Sequence, residues 1–298
     1  MPELTRLKSS KFPVPFNPIS NTEQDIFFIT IKERLAHPTF KFNWLHTINF
    51  YAIIIITEGN YQHFLEFKTY DLAVGDLIII CPNQIHKFLQ LDGFDGYIVA
   101  FTENFITHYL LNTNPSIQFD VLTKIHEHGK IRLPHISFQQ ITQLINILNE
   151  ELKLKKDICQ TLILQHLLTT IIVYVNREIN ALQGSITFDH YTTIVMQFKK
   201  LLQEEIRHTY DIEHYAQLLN INKRVLQLAT KKITKLTPKE LINNELTLRC
   251  KRELINPIYQ MQDIAFNLGF ADASTFTKFF KRMTHQTPLE FRKQMSNR

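Results

Sequence analysis

The chain has 298 residues, of which 44% are hydrophobic and 20% are charged, and its formal net charge is +5. This length allows two domains, and the composition is typical of a soluble globular protein and excludes a disordered chain. Cys81, Cys159 and Cys250 lie far apart without a C-x-x-C spacing, which argues against a disulfide framework and against a thiolate zinc site.

Residues 1–25 are predicted to be an extended or loosely packed lead-in. They are rich in proline and polar residues and lack the apolar core of a signal peptide, so the cytoplasm is the expected location. The apolar residues 158–175 approach the length of a membrane span. Because Gln160, Gln165 and His166 would have to enter the hydrocarbon unpaired, we expect no membrane association.

Residues 26–105 are predicted to form a small antiparallel β-barrel. Turn sequences such as Glu58-Gly59-Asn60 separate runs that are rich in β-branched and aromatic residues. The runs cover residues 25–31, 49–56, 61–67, 76–80, 86–91 and 96–101. Short strands at this spacing are typical of a barrel or sandwich. The order Gly75-Asp76, apolar strand, Pro82, Gln84, His86 resembles the second half of a cupin-like barrel.

Metal-dependent cupin enzymes carry a His-x-His pair and a glutamate, which bind a divalent metal together with a histidine of the second motif. The corresponding stretch here keeps only His46, because Ile48 and Ala52 cannot ligate. A site of His46, His63 and His86 is conceivable, but satisfied or solvent-facing histidines are favoured. The sequence therefore predicts no metal, no cofactor and no catalytic residue, and a binding barrel rather than an enzyme.

A barrel of this size can hold one small ligand. The candidate pocket residues are aromatic or histidine side chains on or beside the predicted strands. They are Trp44, His46, Tyr51, His63, His86 and Tyr97. The alternative is a barrel filled by its own side chains.

Residues 106–180 are predicted to form a helical dimerisation segment. The predicted helices cover residues 103–111, 119–127, 137–155 and 157–179. The last helix has two apolar stripes, one with Ile158, Leu162, Leu168, Ile172 and Val175 and the other with Leu164, Leu167, Ile171 and Tyr174. Two stripes predict two contacts, one with the barrel and one with the same helix of a second subunit, so residues 157–179 are the expected homodimer contact. A bundle within one chain is the alternative.

Residues 190–298 are predicted to form an all-α domain, after a linker over residues 181–189. The most informative stretch is residues 261–292, where a first helix is expected to end at Gly269, which reaches positive φ without penalty. Asp272 is a good N-cap for a second helix. The apolar stripe of that helix contains Phe276, Phe279, Phe280 and Met283, and its other face is small, polar and basic. Two such helices predict a helix-turn-helix.

The same layout occurs earlier in the chain, and this internal repeat predicts two helix-turn-helix units. The corresponding residues are Ala216 and Ala265, Asn220 and Gly269, Asn222 and Asp272, and Lys231-Lys232 and Lys281-Arg282. Both units close with Thr-Pro-x-Glu, at residues 237–240 and 287–290. In this tetrapeptide threonine caps a helix, proline has no amide to leave unpaired, and glutamate returns a hydrogen bond to the cap.

Residues 190–298 resemble the paired helix-turn-helix domain of AraC/XylS-type transcription regulators, many of which carry a cupin-like barrel before that domain. The signature in the second unit consists of Ile264, Ala265, Gly269, Phe270, Asp272, Ser274, Phe276, Phe279, Pro288, Phe291 and Arg292. The resemblance implies double-stranded DNA and RNA polymerase as partners. Family members usually have glycine after each recognition helix, where this chain has Lys235 and His285. Both helix ends are therefore expected to be strained by about 1 kcal/mol or to terminate differently.

The charge distribution fits DNA binding by this domain. Residues 189–298 hold 18 Lys/Arg against 11 Asp/Glu, whereas residues 1–188 hold 15 against 17. The predicted base-reading residues are Lys223, Arg224, Gln227, Leu228, Ala273, Ser274, Thr277 and Lys278, and the predicted phosphate contacts are Lys231, Lys232, Lys281 and Arg282. A charge-rich, solvated helix surface is the alternative.

The sequence thus predicts an α+β protein, with a cupin-like barrel and helical segment followed by two helix-turn-helix units. Its predicted function is sequence-specific DNA binding and transcription regulation, under the control of a small molecule in the barrel. A ligand-independent regulator of the same type and a metal-dependent cupin enzyme with a helical appendage are the alternatives.

Overall fold

The computed structural model describes residues 25–36, 45–90, 92–105, 129–183, 190–206, 209–256 and 258–296. The chain forms two compact units, Met1–Ile186 and Thr187–Arg298. The lead-in, Trp44, the helix predicted over 119–127 and most of that predicted over 103–111 lie outside the described residues. The predicted α+β class is confirmed, because the first unit contains an antiparallel sheet with helices and the second is helical.

The first unit is organised around one long strand. Its strands are β1 (Ile26–Thr30), β2 (His46–Thr47), β3 (Tyr51–Leu65), β4 (Lys68–Ala73), β5 (Asp76–Ile80), β6 (Ile85–Phe88), β7 (Phe94–Phe101) and β8 (Lys130–Arg132). The first half of β3 pairs with β5 and β7, and its second half pairs with β4 and β6. The two ladders share β3, and no pairing among the described strands closes them into a continuous ring.

The turn predicted at residues 58–60 is instead a β-bulge within β3. The register with β7 shifts between Ile56 and Glu58, and Gly59 has a φ of +70°. A Cβ at Gly59 would lie 2.0 Å from the carbonyl oxygen of Gly93, so the close approach of the two strands requires glycine. The chain reverses later, at Glu66 and Phe67, which both have positive φ and lead into β4. β4 was not among the strands predicted from the sequence.

The bulge decides which side chains of β3 face which core. Before it, Tyr51, Ile53 and Ile55 belong to one apolar cluster, which also contains residues of the two long helices and is called the outer core here. Ala52, Ile54 and Ile56 belong to a second cluster, called the barrel core. After the bulge, Tyr61 and Leu65 also belong to the barrel core, although their numbers are odd. One extra residue has exchanged the two faces of the strand.

Three helices complete the first unit. They are α1 (Ile31–Ala36), α2 (His135–Lys153) and α3 (Gln160–Gln183). α1 packs on β7 and adds Ile31 to the barrel core, whereas α2 and α3 pack on each other and form the outer core with the sheet.

The predicted division of α3 into one stripe for the barrel and one for a second subunit is corrected by this packing. Leu164 and Ile171 of one stripe, and Leu168 and Val175 of the other, are all buried in the outer core. Residues of both stripes therefore pack in one cluster with α2 and side chains of the sheet, whereas Ile158 and Leu162 of the first stripe stay exposed. The exposed apolar residues beside or on α3 are Ile158, Leu162, Ile163 and Val173.

The second unit consists of seven described helices. They are α4 (His190–Glu205), α5 (Ile212–Leu218), α6 (Lys223–Thr234), α7 (Pro238–Ile255), α8 (Met261–Asn267), α9 (Ala273–Thr284) and α10 (Pro288–Ser296). α7 lies at the centre and contacts α6, α8, α9 and α10. Its buried residues Ile242, Leu246, Cys250 and Leu254 recur every four positions and form one stripe. Among the helices in the described ranges, none has the length and apolarity to span a membrane.

A buried carboxylate ties β5 to β8, the strand that leads into α2. Asp76 is 1% exposed, and its side chain lies 2.8 Å from Lys130 Nζ and 3.1 Å from Arg132 Nη1. It also accepts a hydrogen bond from the backbone N–H of Ala73 at 2.8 Å. The second cation and the backbone donor compensate for the loss of water around this carboxylate.

We expect Asp76→Asn to lower the free energy of unfolding by about 1–3 kcal/mol, because two charge-assisted bonds to a buried group are lost. Chemical denaturation of the full chain would measure this. Glu150→Gln is the control, since its pair with Lys153 has side chains 72% and 60% exposed, and the change should be within about 0.5 kcal/mol. Equal effects of the two substitutions would contradict the structural role of Asp76.

Candidate DNA-binding surface and barrel site

The two helix-turn-helix units have the same backbone geometry. In the first turn the N–H of Ile221 donates to the carbonyl of Ala216 at 3.0 Å, and in the second the N–H of Phe270 donates to the carbonyl of Ala265 at 2.9 Å. Asn220 and Gly269 occupy the left-handed position, with φ of 53° and 79°. The repeat seen in the sequence is therefore a repeat of hydrogen bonds.

The recognition helices are α6 and α9, the second helices of the two helix-turn-helix units, and each begins at the predicted cap. The side chain of Asn222 accepts from the N–H of Val225 at 2.9 Å, and that of Asp272 accepts from the N–H of Thr275 at 2.6 Å. The helices after them also begin as predicted, because Thr237 with Glu240 forms a capping box and Thr287 with Glu290 exchanges the corresponding bonds. These local bonds fix where α6, α7, α9 and α10 start.

The apolar side of each recognition helix is packed within the second unit. Leu226 and Ala229 of α6 are buried, as are Phe276, Phe279 and Phe280 of α9, and Met283 is half-buried. The ring of Phe280 also contacts that of Phe291 on α10, with centroids 5.6 Å apart. The opposite sides of α6 and α9 are consequently the exposed ones.

The predicted base-reading residues lie on these outer sides. Lys223, Arg224, Gln227, Leu228, Ser274 and Lys278 are exposed, and Ala273 and Thr277 are half-buried. The hydroxyl of Thr277 donates to the carbonyl of Ala273 at 2.7 Å, so its proton is already engaged. Lys223 lies 3.9 Å from the carboxylate of Glu213.

The predicted phosphate contacts cluster at the ends of α6 and α9. Lys231, Lys232, Lys281 and Arg282 are exposed. Lys231 donates to the carbonyl of Lys235 at 3.1 Å, Lys232 lies 4.7 Å from the ring centroid of Tyr191, and Arg282 lies 5.5 Å from that of Phe279. These contacts restrict the long side chains near the helix ends without burying their charges.

Two further residues connect the two helix-turn-helix units within the second compact unit, and neither contact was predicted from the sequence. Arg292 donates to the carbonyl of Leu254 at 2.9 Å and to that of Tyr259 at 2.8 Å, so it joins α10 to the end of α7. Tyr210, before α5, donates through its hydroxyl to the carbonyl of Leu268 in the second turn. Arg292 appeared in the signature, but its role as a hydrogen-bond donor to two backbone carbonyls could not be read from its position.

The predicted pocket residues of the barrel separate into two groups. His46, His63 and His86 come from β2, β3 and β6 and meet: the His46 and His86 ring centroids are 4.2 Å apart, and those of His63 and His86 are 5.4 Å apart. Tyr51 and Tyr97 lie elsewhere, because Tyr51 belongs to the outer core and Tyr97 packs against it. Trp44 lies outside the described residues.

Aromatic residues that were not predicted line the histidine side of the barrel core. The hydroxyl oxygen of Tyr61 is 3.2 Å from Nδ1 of His63, and the Tyr61 ring stacks on Phe94 with centroids 4.3 Å apart. The Phe88 ring also stacks on the Tyr61 ring, with centroids 5.8 Å apart. Alternation along residues 61–65 could have indicated Tyr61, because it places Tyr61 and His63 on one face.

Comparison with known proteins identifies both units. The AraC-like ligand binding domain model matches residues 32–168, and a helix-turn-helix domain model matches residues 215–294. The Msm operon regulatory protein of Streptococcus mutans is 26% identical over 264 residues, which are 83% of this chain and 85% of that protein. The HTH-type transcriptional activator RhaS of Escherichia fergusonii is 22% identical over 89% of this chain and 91% of its own length. ToxT of Vibrio cholerae has a structure with a TM-score of 0.42 and 14% identity over 90% of this chain and 98% of ToxT.

Lys235 and His285, the residues that stand in place of the expected glycines, both adopt left-handed backbone with φ of 63° and 62°. We expect Lys235→Gly and His285→Gly each to raise the free energy of unfolding of the second unit by about 1 kcal/mol, because glycine has no Cβ to strain there. Thermal or chemical denaturation would measure this. Asn220→Gly is the control with the same backbone but a residue that tolerates it, and its gain should be smaller. Destabilisation by both glycine variants would contradict the strain.

The cap of α9 carries a pH dependence that the cap of α6 lacks. A hydrogen bond from the N–H of Thr275 lowers the pKa of Asp272 below its ordinary value of 3.8. Because the folded pKa is the lower one, the stabilisation is complete above 3.8 and is lost as pH falls through the folded pKa. We expect Asp272→Asn to reduce the loss of melting temperature between neutral pH and about pH 3, and Asn222→Asp to increase it. Identical pH profiles for the wild type and both variants would contradict this assignment.

Proposed function

This chain belongs to the AraC/XylS family of transcription regulators, and we propose that it activates transcription by binding a specific DNA site with α6 and α9 in successive major-groove segments. The observation that carries this proposal is the duplicated geometry of turn, cap and exposed polar face in the two units. Two such helices on one face of B-form DNA read segments about 34 Å apart. Activation further implies RNA polymerase as a partner. It also implies a cytoplasmic location, where the chromosome lies.

The exposed residues of α6 suit direct base reading. Arg224 offers a planar pair of donors for guanine, Gln227 a donor and an acceptor for adenine, and Leu228 a methyl contact for thymine. Leu228 is 51% exposed on an otherwise polar face, which is the position expected for an apolar contact with a base rather than with the protein core. On α9, Ser274 and Lys278 are the exposed candidates, with Ala273 and Thr277 beside them.

We expect Arg224→Ala to change the preferred DNA sequence, and Lys232→Ala to weaken binding to all sequences alike. The reason is that a guanidinium reads a base edge, whereas an ammonium at the helix end neutralises a phosphate. Selection of random genomic fragments, with sequencing of the bound pool, would give the preference. Titration over a range of salt should show a slope reduced by about 0.9 for Lys232→Ala.

Lys153→Ala is the matched control for this pair, since it removes one exposed positive charge from the first unit. It should leave both the preferred sequence and the salt slope unchanged. A changed sequence preference in Lys232→Ala, together with an unchanged one in Arg224→Ala, would overturn this division of roles. Absence of any motif with two half-sites one helical turn apart would overturn the two-helix mode of binding.

We further propose that a small molecule in the barrel core controls this binding. The support is the buried histidine and tyrosine cluster, which gives an otherwise apolar interior specific polar groups. A ligand-independent regulator of the same type is the second candidate, and it is favoured by the dense aromatic packing around Tyr61. A metal-dependent enzyme is disfavoured, because no group of three or more His, Cys, Asp or Glu within the described ranges is arranged to hold a metal ion.

Self-association through the region of α3 is the remaining part of the proposal. Ile158, Leu162 and Val173 are exposed by 96%, 52% and 41%. They would be covered by the same surface of a second subunit, in an isologous contact. Sedimentation of the wild type and of Leu162→Asp would test this, and a monomer in both cases would overturn it.

A further inference from the structure

The histidine cluster contains ring nitrogens that lack a hydrogen-bond partner in the protein. These are Nε2 of His63 and both Nδ1 and Nε2 of His86. His63 is 0% exposed and His86 is 4% exposed, so bulk water does not reach them. A buried polar group without a partner destabilises a fold and calls for an explanation such as a bound group. Three unmet nitrogens on two adjacent rings therefore indicate a bound molecule.

The surroundings of the cluster favour a negatively charged molecule. Burial is the main cause that lowers the pKa of His63 to about 3 and that of His86 well below its usual range, and neighbouring positive charge lowers both further. Within the described part of the chain, the charged forms that act on His86 are those of His46, His63 and Arg34. Because burial keeps His63 and His86 neutral at neutral pH, the permanent charge among these groups is the guanidinium of Arg34. A metal cation would be repelled by Arg34, whereas an anion would be attracted.

Arg34 is placed to take part in such a site. It lies on α1, three residues after Ile31, and both Ile31 and Leu35 contribute to the barrel core. The side chain is half-buried, and desolvation lowers the pKa of its guanidinium to about 10. A guanidinium at the edge of an apolar core matches the geometry of a carboxylate.

We propose that His46, His63, His86 and Arg34 form the effector site of the barrel and that its ligand is a small organic acid. The carboxylate of the acid accepts hydrogen bonds from imidazole N–H groups and from Arg34, and its apolar part lies among the barrel-core side chains. This inference rests on the proposed control of the regulator by a small molecule, and it adds the chemical class of that molecule.

Proton uptake is a consequence of this chemistry. A bound carboxylate raises the pKa of the ring beside it, so binding draws a proton onto the cluster. Affinity is therefore highest below the raised pKa and falls as pH rises through it. Among the described residues, further titratable groups near the rings are Tyr61 on β3, Tyr70 opposite His63 on β4, and Glu66, whose carboxylate accepts from the N–H of Ile85. Lys87 alternates to the opposite face of β6 from His86.

The test is the melting temperature of the full-length protein with acetate, butyrate and benzoate. The matched neutral probes are acetamide, butyramide and benzamide, and zinc sulfate is the metal probe. We expect at least one acid to raise the melting temperature with increasing concentration, as mass action requires, and to do so more at about pH 6 than at about pH 8. The corresponding amide should have no such effect.

Two variants separate a binding role from a structural one. His86→Phe fills the same space without polar atoms, so the acid-free protein should melt at the same or a higher temperature while the response to the acid is lost. Arg34→Met should weaken the binding of the acid by about tenfold or more. Tyr51→Phe, in the outer core, should keep the full response. If His86→Phe does not fold, His86→Gln serves instead, and it should bind the acid with a weaker dependence on pH, because one of the three imidazoles is gone.

Three results would overturn the proposal: equal effects of acids and amides, stabilisation by zinc alone that His86→Phe abolishes, or no response to any of the acids. DNA selection on the same preparation distinguishes this failure from that of the proposed function. An enriched DNA motif without a response to acids rejects only the effector class. A response to acids without an enriched motif under any condition rejects the DNA-binding proposal.

Discussion

The hydrogen bond that closes each turn sets the position of each recognition helix. It runs from the N–H of Ile221 to Ala216 and from that of Phe270 to Ala265, and it requires a left-handed residue between them. Both alanines are buried, with 1% exposure, and a larger side chain there would push the second helix away. Asn222 and Asp272 cap these helices, so α6 begins at Lys223 and α9 begins at Ala273. The fixed starting residue determines the direction in which the polar face of each helix points.

α7 holds the two helix-turn-helix units together in the second compact unit. Its buried stripe packs against helices of both helix-turn-helix units, and Arg292 and Tyr210 add hydrogen bonds across the junction. Because packed helices of this kind move little relative to one another, the distance between α6 and α9 is a property of the second unit alone. A DNA site with fixed half-site spacing would be recognised by such a unit without adjustment.

The helix-turn-helix units could be predicted from the sequence because their determinants are local. Caps, turn residues and apolar stripes act within four residues, and each appears in the sequence at its functional position. The barrel could be predicted as a fold but not in its details, because strand register depends on contacts far apart in sequence. The bulge beside Gly59 exchanges the faces of β3, so strict alternation would place Tyr51 and His63 together, whereas the structure places them in different cores.

The same bulge gives the barrel its chemistry. Without the extra residue, Tyr61 and His63 would face away from His86, and the three imidazoles would not meet. With it, three imidazoles are buried together at a cost in stability that packing alone does not offset. A molecule that satisfies those nitrogens adds its binding free energy to the folded first unit. Control by an effector can therefore begin as a change in the stability and rigidity of that unit, before any rearrangement of the sheet is required.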